Sequence, residues 1–335
     1  MKFKNILITG GAGYCGSIIV PLLLSKGHNV TVFDMMFFGN SHLPKENENL
    51  NIIKGDIRDI LSFKKALNGI EAVLHLACIS NDVSFELDEK LSTSINYEAF
   101  EPLVLACKEA GVKRFIYASS SSVYGVSNEP NVTEDHPLVP LTLYNKYKGM
   151  CEPILTKHTD KNFVGVTFRP ATVCGYAPRL RLDLSVNILT NLAVRNNIIT
   201  VFGGDQLRPN LHVKDYADLC NLLLNVDDEL IADEIFNCGY ENKSIMDIAI
   251  DVQEIVSAKF PNRSKVDIKV SNSDDKRSYH INSDKIFKKL GFAPKLSIKD
   301  AVNDICDAFN NNLVPNSLEN DNYFNIKIMK KYNNL

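Results

Sequence analysis

Tyr144 and Lys148 stand four residues apart, downstream of a run of four serines, Ser119 to Ser122. If Leu143 to Met150 opens a helix, the pair shares one face with its Cβ atoms about 5–6 Å apart. A tyrosine near its ordinary pKa of about 10 is a poor base at neutral pH. An ammonium about 5 Å away, at an effective dielectric of about 20, favours the phenolate by about 3 kcal/mol and brings the tyrosine into working range. The chemistry such a pair supports is removal of a hydroxyl proton as a hydride leaves the carbon. That chemistry needs a hydride acceptor, and the start of the chain supplies a place for one.

Gly10-Gly11-Ala12-Gly13-Tyr14-Cys15-Gly16 runs from the first strand pattern into the first helix pattern. A sharp strand-to-helix turn needs residues that tolerate positive φ, and a pyrophosphate reaches the backbone N–H groups only where no Cβ intervenes. Gly10, Gly13 and Gly16 meet those needs, with Tyr14 and Cys15 contributing to the same loop. Asp34 ends the second strand pattern, where a carboxylate accepts hydrogen bonds from the adenosine ribose hydroxyls and repels a 2′-phosphate. Met35, Met36 and Phe37 follow it and bring no cation, so the expected cofactor is NAD and not NADP.

The elements that must position these groups are legible as repeated β-α-β units. Strands are expected at Lys4 to Thr9, Asn29 to Phe33, Asn51 to Lys54, Ala72 to Leu76, Arg114 to Ala118 and Val164 to Phe168. Helices are expected at Ile18 to Leu24 and Ser94 to Ala110, closed by Gly27 and Gly111. This is the signature of an α/β fold, a Rossmann-type doubly wound parallel sheet. From about Tyr176 the pattern becomes mixed: strands at Ile199 to Phe202 and Glu234 to Cys238, helices at Asp247 to Val256 and Ile298 to Phe309. We read residues 1–175 as the NAD-binding domain with the Tyr/Lys helix, 176–313 as mainly a smaller mixed α/β substrate-binding lobe, and 314–335 as a C-terminal linker and tail. The tail segment from Tyr323 to Tyr332 reads as either packed or frayed.

Composition narrows the function classes. Of 335 residues, 45% are hydrophobic and 23% charged, ordinary for a folded soluble chain, and 37 basic against 40 acidic residues leave a net charge of -3. This balance provides no net field to hold a polyanion, although it leaves room for a local basic patch, so nucleic acid is not an expected partner. No apolar run reaches the roughly 18 residues of a membrane span, and no signal-peptide pattern opens the chain, so no membrane partner and a cytoplasmic location are expected. Eight cysteines without a C-x-x-C pair signal neither a disulfide framework nor a metal site.

The spacing of Gly10, Gly13 and Gly16 resembles that of the extended short-chain dehydrogenases/reductases acting on nucleotide sugars. Further segments match in order over about 280 residues: Gly55-Asp56-Ile57, His75-Leu76-Ala77, Ser119 to Gly125, and Tyr144 with Lys148. The resemblance implies that Asp56 and Ile57 contact the adenine, Leu76 and Ala77 line the cofactor cleft, and Asn96 positions the helix on the nicotinamide side. It implies catalytic roles for Ser120, which bonds the reacting oxygen, for Tyr144 as base, and for Lys148, which also binds the nicotinamide ribose. It also implies a homodimer paired through the helices Ser94 to Ala110 and Tyr144 to Lys157.

Two departures bear on the reaction. Dehydratases and decarboxylases of the family carry acids just after the catalytic Ser/Thr, whereas Ser121 and Ser122 stand here, which demotes a 4,6-dehydratase. Thr172 replaces the family's usual substrate-binding Asn, and the segment around it resembles a branch with bacterial GDP-heptose 4-dehydrogenases. The expected substrate is a nucleotide-diphosphate sugar, touched at Thr172 and through its diphosphate by Arg179, Arg181, Arg208 and Arg277. A 4-epimerase is the leading expectation because it needs no external redox partner. A 4-dehydrogenase or ketoreductase is its close alternative, and a non-catalytic NAD sensor is disfavoured by retention of Ser120, Tyr144 and Lys148.

Overall fold

A computed structural model describes residues 1–80, 82–127, 129, 131–272, 278 and 280–332. Its strands are β1 Asn5–Thr9, β2 Asn29–Asp34, β3 Leu50–Lys54, β4 Ala72–His75, β5 Arg114–Ala118, β6 Val164–Pro170, β7 Thr172–Cys174, β8 Ile198–Phe202, β9 Leu207–His212, β10 Glu234–Cys238, β11 Glu241–Ser244 and β12 Asp267–Ser271. The α-helices are α1 Gly16–Ser25, α2 Ile60–Ala66, α3 Asp82–Glu86, α4 Glu89–Thr93, α5 Phe100–Glu109, α6 Leu143–His158, α7 Ser185–Asn196, α8 Val213–Asn225, α9 Asp228–Ile231, α10 Ile245–Lys259, α11 Asp284–Leu290, α12 Ile298–Asn310 and α13 Asn325–Tyr332.

Seven strands form one parallel sheet in the order β10-β6-β5-β4-β1-β2-β3. Residue alternation along β1 explains why both faces are covered. Ile6 and Ile8 pack with Ile19 and Leu23 of α1 and Leu219 and Leu223 of α8, whereas Leu7 joins Phe63 of α2, Leu103 of α5 and Leu155 of α6. This is the expected Rossmann-type sheet. Its order reverses at β1, between β2 and β4, and a crevice therefore opens beyond the carboxyl ends of β1 and β4.

The second lobe centres on α7, α10 and α12, whose Val186, Ile248 and Ile305 pack with Ile199 and Val201 of β8. Two small sheets accompany it, β11-β9-β7 and β12-β8. Glu234–Cys238 departs from the sequence reading: we expected it in this lobe, yet it pairs in parallel with β6 as an edge strand of the main sheet. Strand pairing across such a separation leaves no mark in local periodicity. The stretch after α12 is also more than a linker. Val314 and Ser317 are buried, Arg195 donates to Ser317 Oγ at 2.9 Å and to the Val314 carbonyl at 2.9 Å, and Tyr323 accepts the Leu182 N–H at 2.8 Å. The chain then closes with α13 against the first lobe, where Asn325 and Met329 line the central cavity.

Candidate active site

A cavity of about 630 Å³ occupies the crevice, walled by the loop after β1, the ends of β4 and β5, α6 and the second lobe. Gly10 has φ +72°, and a Cβ there would stand 2.7 Å from the backbone nitrogen of Ala77. At Gly16 a Cβ would lie 2.2 Å from the Gly11 carbonyl oxygen. The two glycines let the loop fold tightly against β4 and start α1 with its N-terminus facing the cavity. Gly13, Tyr14 and Cys15 line the same wall. The Tyr14 side chain points away into the second lobe, donating to the Gly175 carbonyl at 2.6 Å and accepting from Asn187.

Beyond the loop, Asp34 accepts the backbone N–H of Ala12 at 3.0 Å and of Met36 at 2.7 Å. Burial raises its pKa against the opposing pull of those donors. Asp56 forms a bidentate pair with Arg58, whose hydrogen bonds hold its pKa low against the upward push of burial. Asp56, Ile57, Leu76 and Ala77 all line the cavity. Asn96 does not. Its side chain is buried and staples the loop after β4, accepting the Ile79 N–H at 2.8 Å and donating to the Ile79 carbonyl at 2.9 Å. It sits in a π-helical turn, Ser94–Glu98, ahead of α5.

The candidate catalytic groups meet at the ends of β5 and α6. Thr142 caps α6 by accepting the Asn145 N–H, and the helix carries Tyr144, Lys148 and Glu152 on one face. Lys148 is buried and donates from Nζ to the Ala118 carbonyl at 2.7 Å. The Tyr144 ring meets Phe85 edge-on at 6.5 Å. Ser120 Oγ lies 2.7 Å from Ser122 Oγ, which donates to Asn145 Oδ1 on α6. Beneath them Ser119 donates to Glu152 Oε1 at 2.6 Å, and Arg169 of β6 clasps the same carboxylate at 3.0 and 2.6 Å. Ser120, Tyr144 and Lys148 all face the cavity that the glycine loop walls.

Thr172, Arg179, Arg181 and Arg208 also face the cavity, whereas Arg277 lies outside the described residues. Arg181 pairs with Asp183 at 2.8 Å and donates to Ser80 at 3.1 Å. Arg179 is placed unexpectedly: its backbone N–H meets Ser17 Oγ of α1 at 3.3 Å, and its guanidinium lies 3.6 Å from the centre of the Phe38 ring, beside the Asp34 loop.

The family model for NAD-dependent epimerases/dehydratases matches residues 6–239, most of the chain. The chain belongs to that family. An uncharacterized protein of Sinorhizobium fredii, y4nG, is 32% identical over 225 residues, which are 67% of this chain and 54% of that protein, so the match spans about half of that relative's length. The UDP-glucose 4-epimerase of Lactobacillus helveticus is 28% identical over 283 residues, 75% of this chain and 82% of the enzyme. Among solved structures, the UDP-glucuronic acid 4-epimerase of Bacillus cereus in complex with UDP-glucuronic acid and NAD superimposes with a TM-score of 0.80 at 25% identity, covering 92% of this chain and 99% of that one.

The family's cofactor is NAD, and the residues present here fit it. A Cβ at Gly10 or Gly16 would collide with backbone, so glycine at both places lets the loop close tightly and leaves the N-terminus of α1 open to the cavity, where a diphosphate could approach it, with the Asp34 carboxylate beside the loop. This family site also contains residues that sequence reading missed. Glu152 follows Lys148 by four residues, the spacing that joins Tyr144 to Lys148, and that repeat was the available signal. Arg169, Asn145, Phe38 and Asn325 offered none, because their roles depend on contacts between distant segments.

Proposed function

We propose that the chain is an NAD-dependent nucleotide-sugar 4-epimerase. The observation that carries this reading is the convergence of Ser120, Tyr144 and Lys148 on the cavity walled by the glycine loop, with Ser121 and Ser122 where acids would serve a dehydratase. In this reading Tyr144 takes the proton of the C4 hydroxyl, Lys148 holds the phenolate charge, and Ser120 donates a hydrogen bond to the reacting oxygen. The ammonium of Lys148 has three donors, and with one spent on Ala118 it has others for the phenolate and the ribose. NAD, when bound, supplies a reversible hydride acceptor for the sugar carbon. Arg208, together with Arg277, holds the nucleotide diphosphate as the sugar turns its other face, and Tyr144 then returns the proton.

Dehydration would need a carboxyl group that moves protons at C5 and C6. The aspartates that line the cavity are engaged: Asp34 accepts from the Ala12 and Met36 N–H groups, Asp56 pairs with Arg58, Asp82 accepts from Thr142 at 2.5 Å, and Asp183 is held ionised by Arg181 against the upward push of burial. A second reading, a nucleotide-sugar 4-dehydrogenase, is favoured by Thr172 in place of the family's usual Asn. The division into a cofactor domain over 1–175 and a substrate lobe over 176–313 belongs to the same proposal, with the Glu234–Cys238 strand contributed back to the first domain's sheet. Incubation with a panel of UDP- and GDP-linked hexoses and hexuronates, read by NMR, should give the 4-epimer of one member with the native protein and none with Tyr144→Phe. Equal behaviour of the two proteins would remove the enzyme reading.

A further inference from the structure

We propose that Arg179 binds the diphosphate of the dinucleotide, not that of the sugar nucleotide, and that the C-terminal helix α13 holds it in that position through Asn325. This rests on the NAD-dependent reading above and refines it. The backbone N–H of Arg179 meets Ser17 Oγ in the first turn of α1, so the residue enters the cavity beside the helix N-terminus that faces it. From there the side chain runs toward the loop after β2, and its guanidinium stacks on Phe38, four residues beyond Asp34. Asp34 marks the adenosine end of the site and Lys148 the opposite, reactive end. A dinucleotide spanning the two passes its diphosphate across the α1 N-terminus.

The charge of Arg179 has no direct ion-pair partner in this setting. The residue is 5% exposed, its Nε has no hydrogen-bond partner, and among the described residues no carboxylate lies within ion-pair distance of it. Arg181, close by, has Asp183 as its counter-ion. Burial, with Arg181 beside it, pushes the Arg179 pKa down to about 9 and outweighs the opposing pull of Asp183 and Asp34, the direction expected of a cation lacking a directly paired anion. A diphosphate brings two negative charges to a planar donor already oriented for them.

The orientation comes from Asn325, the first residue of α13. Its Oδ1 accepts from Arg179 at 2.5 Å, its Nδ2 donates to Ser80 at 2.8 Å, and its backbone N–H meets Asp183 at 3.0 Å. One residue thus joins the loop after β4, the two-arginine segment and the chain's last helix around the cavity. Arg208 reaches the cavity from β9, in the second lobe, which leaves it for the sugar nucleotide.

The test is calorimetric titration of nucleotide-free protein with NAD and, separately, with UDP and adenosine. In Arg179→Gln the NAD affinity should fall by about 100-fold, as for a lost charge-assisted pair in a desolvated site, with adenosine and UDP affinities unchanged within about twofold. Arg179→Lys, which keeps the charge without the fork, should fall between native and Gln, and Asn325→Ala should weaken NAD by about fivefold. Arg208→Gln should do the reverse, weakening UDP and sparing NAD. Unchanged NAD affinity in both Arg179 variants, or a UDP loss as large as the NAD loss, overturns the assignment. Should Arg179→Gln fail to fold, the Lys and Asn325→Ala variants decide it by the same criteria. Failure of the native protein to bind NAD at all would instead overturn the reading on which the proposal rests.

Discussion

Lys148 donates from Nζ to the carbonyl oxygen of Ala118 at 2.7 Å, so the helix that carries Tyr144 is tied to the strand whose end presents Ser120. In the proposed mechanism this bond fixes the distance between the Tyr144 base and the Ser120 hydroxyl before any ligand arrives. It also places an ammonium 5.1 Å from the centre of the buried Tyr117 ring.

Lys148→Met should therefore lower kcat by about 10²–10⁴-fold, the range of a lost acid–base contribution, with KM for the sugar nucleotide little changed. Steady-state kinetics of the purified variant check this, and a drop confined to KM would contradict it.

His75 is buried at the end of β4 and bonds Thr9 Oγ1 at 2.8 Å, and its pKa is pushed down to about 3 by burial and by the nearby Lys148 charge. The unfolded chain binds a proton here below about pH 6.5 while the folded chain stays neutral, so stability is lost as pH falls from about 6.5 toward 3. The slope from this residue is at most about 1.4 kcal/mol per pH unit. Urea unfolding at pH 7 and pH 5 should show a smaller pH dependence in His75→Gln than in the native protein. Equal slopes would mean that His75 titrates alike in both states.

Glu152 and Arg169, 2% and 4% exposed at their side chains, hold Ser119 and α6 against β6. Glu152→Leu leaves a buried guanidinium without its partner and should cost about 3–5 kcal/mol by urea unfolding. The double variant Glu152→Leu with Arg169→Met should recover a large part of that. No recovery would show that the pair acts through packing and not through charge.

These contacts mark where sequence reading succeeds and where it stops. The glycine loop, Asp34 and the Tyr144/Lys148 spacing are local patterns whose geometry follows from turn and helix rules, and they lie where those rules put them. The edge strand Glu234–Cys238 and the course of Arg179 depend on which distant segments touch. Arg179 is 146 residues from Asn325, and no periodicity joins them. A short alternating segment reads the same whether it pairs with β6 or builds a separate sheet. Ranges, by contrast, carried over well for helices with strong caps, as at α12, where Ser297 and Asp300 form a capping box.

The outward face formed by α5 and α6 leaves Leu105 39% exposed, although the two helices pack on each other and are bridged by Glu101 with His158 and Lys157. Pairing of two copies across this face should make the protein a dimer at micromolar concentration, and Leu105→Glu should weaken it at least tenfold. Light scattering decides this, and a monomeric native protein would contradict it.

The central claim is that the sugar is oxidised and reduced at one carbon without loss of water. The most direct measurement is NMR of the product formed from the active nucleotide sugar in deuterated water. The account predicts inversion at C4 with no deuterium at any carbon. A 4-keto-6-deoxy product carrying solvent deuterium at C5 would contradict it, as would a stable keto sugar accumulating with reduced cofactor.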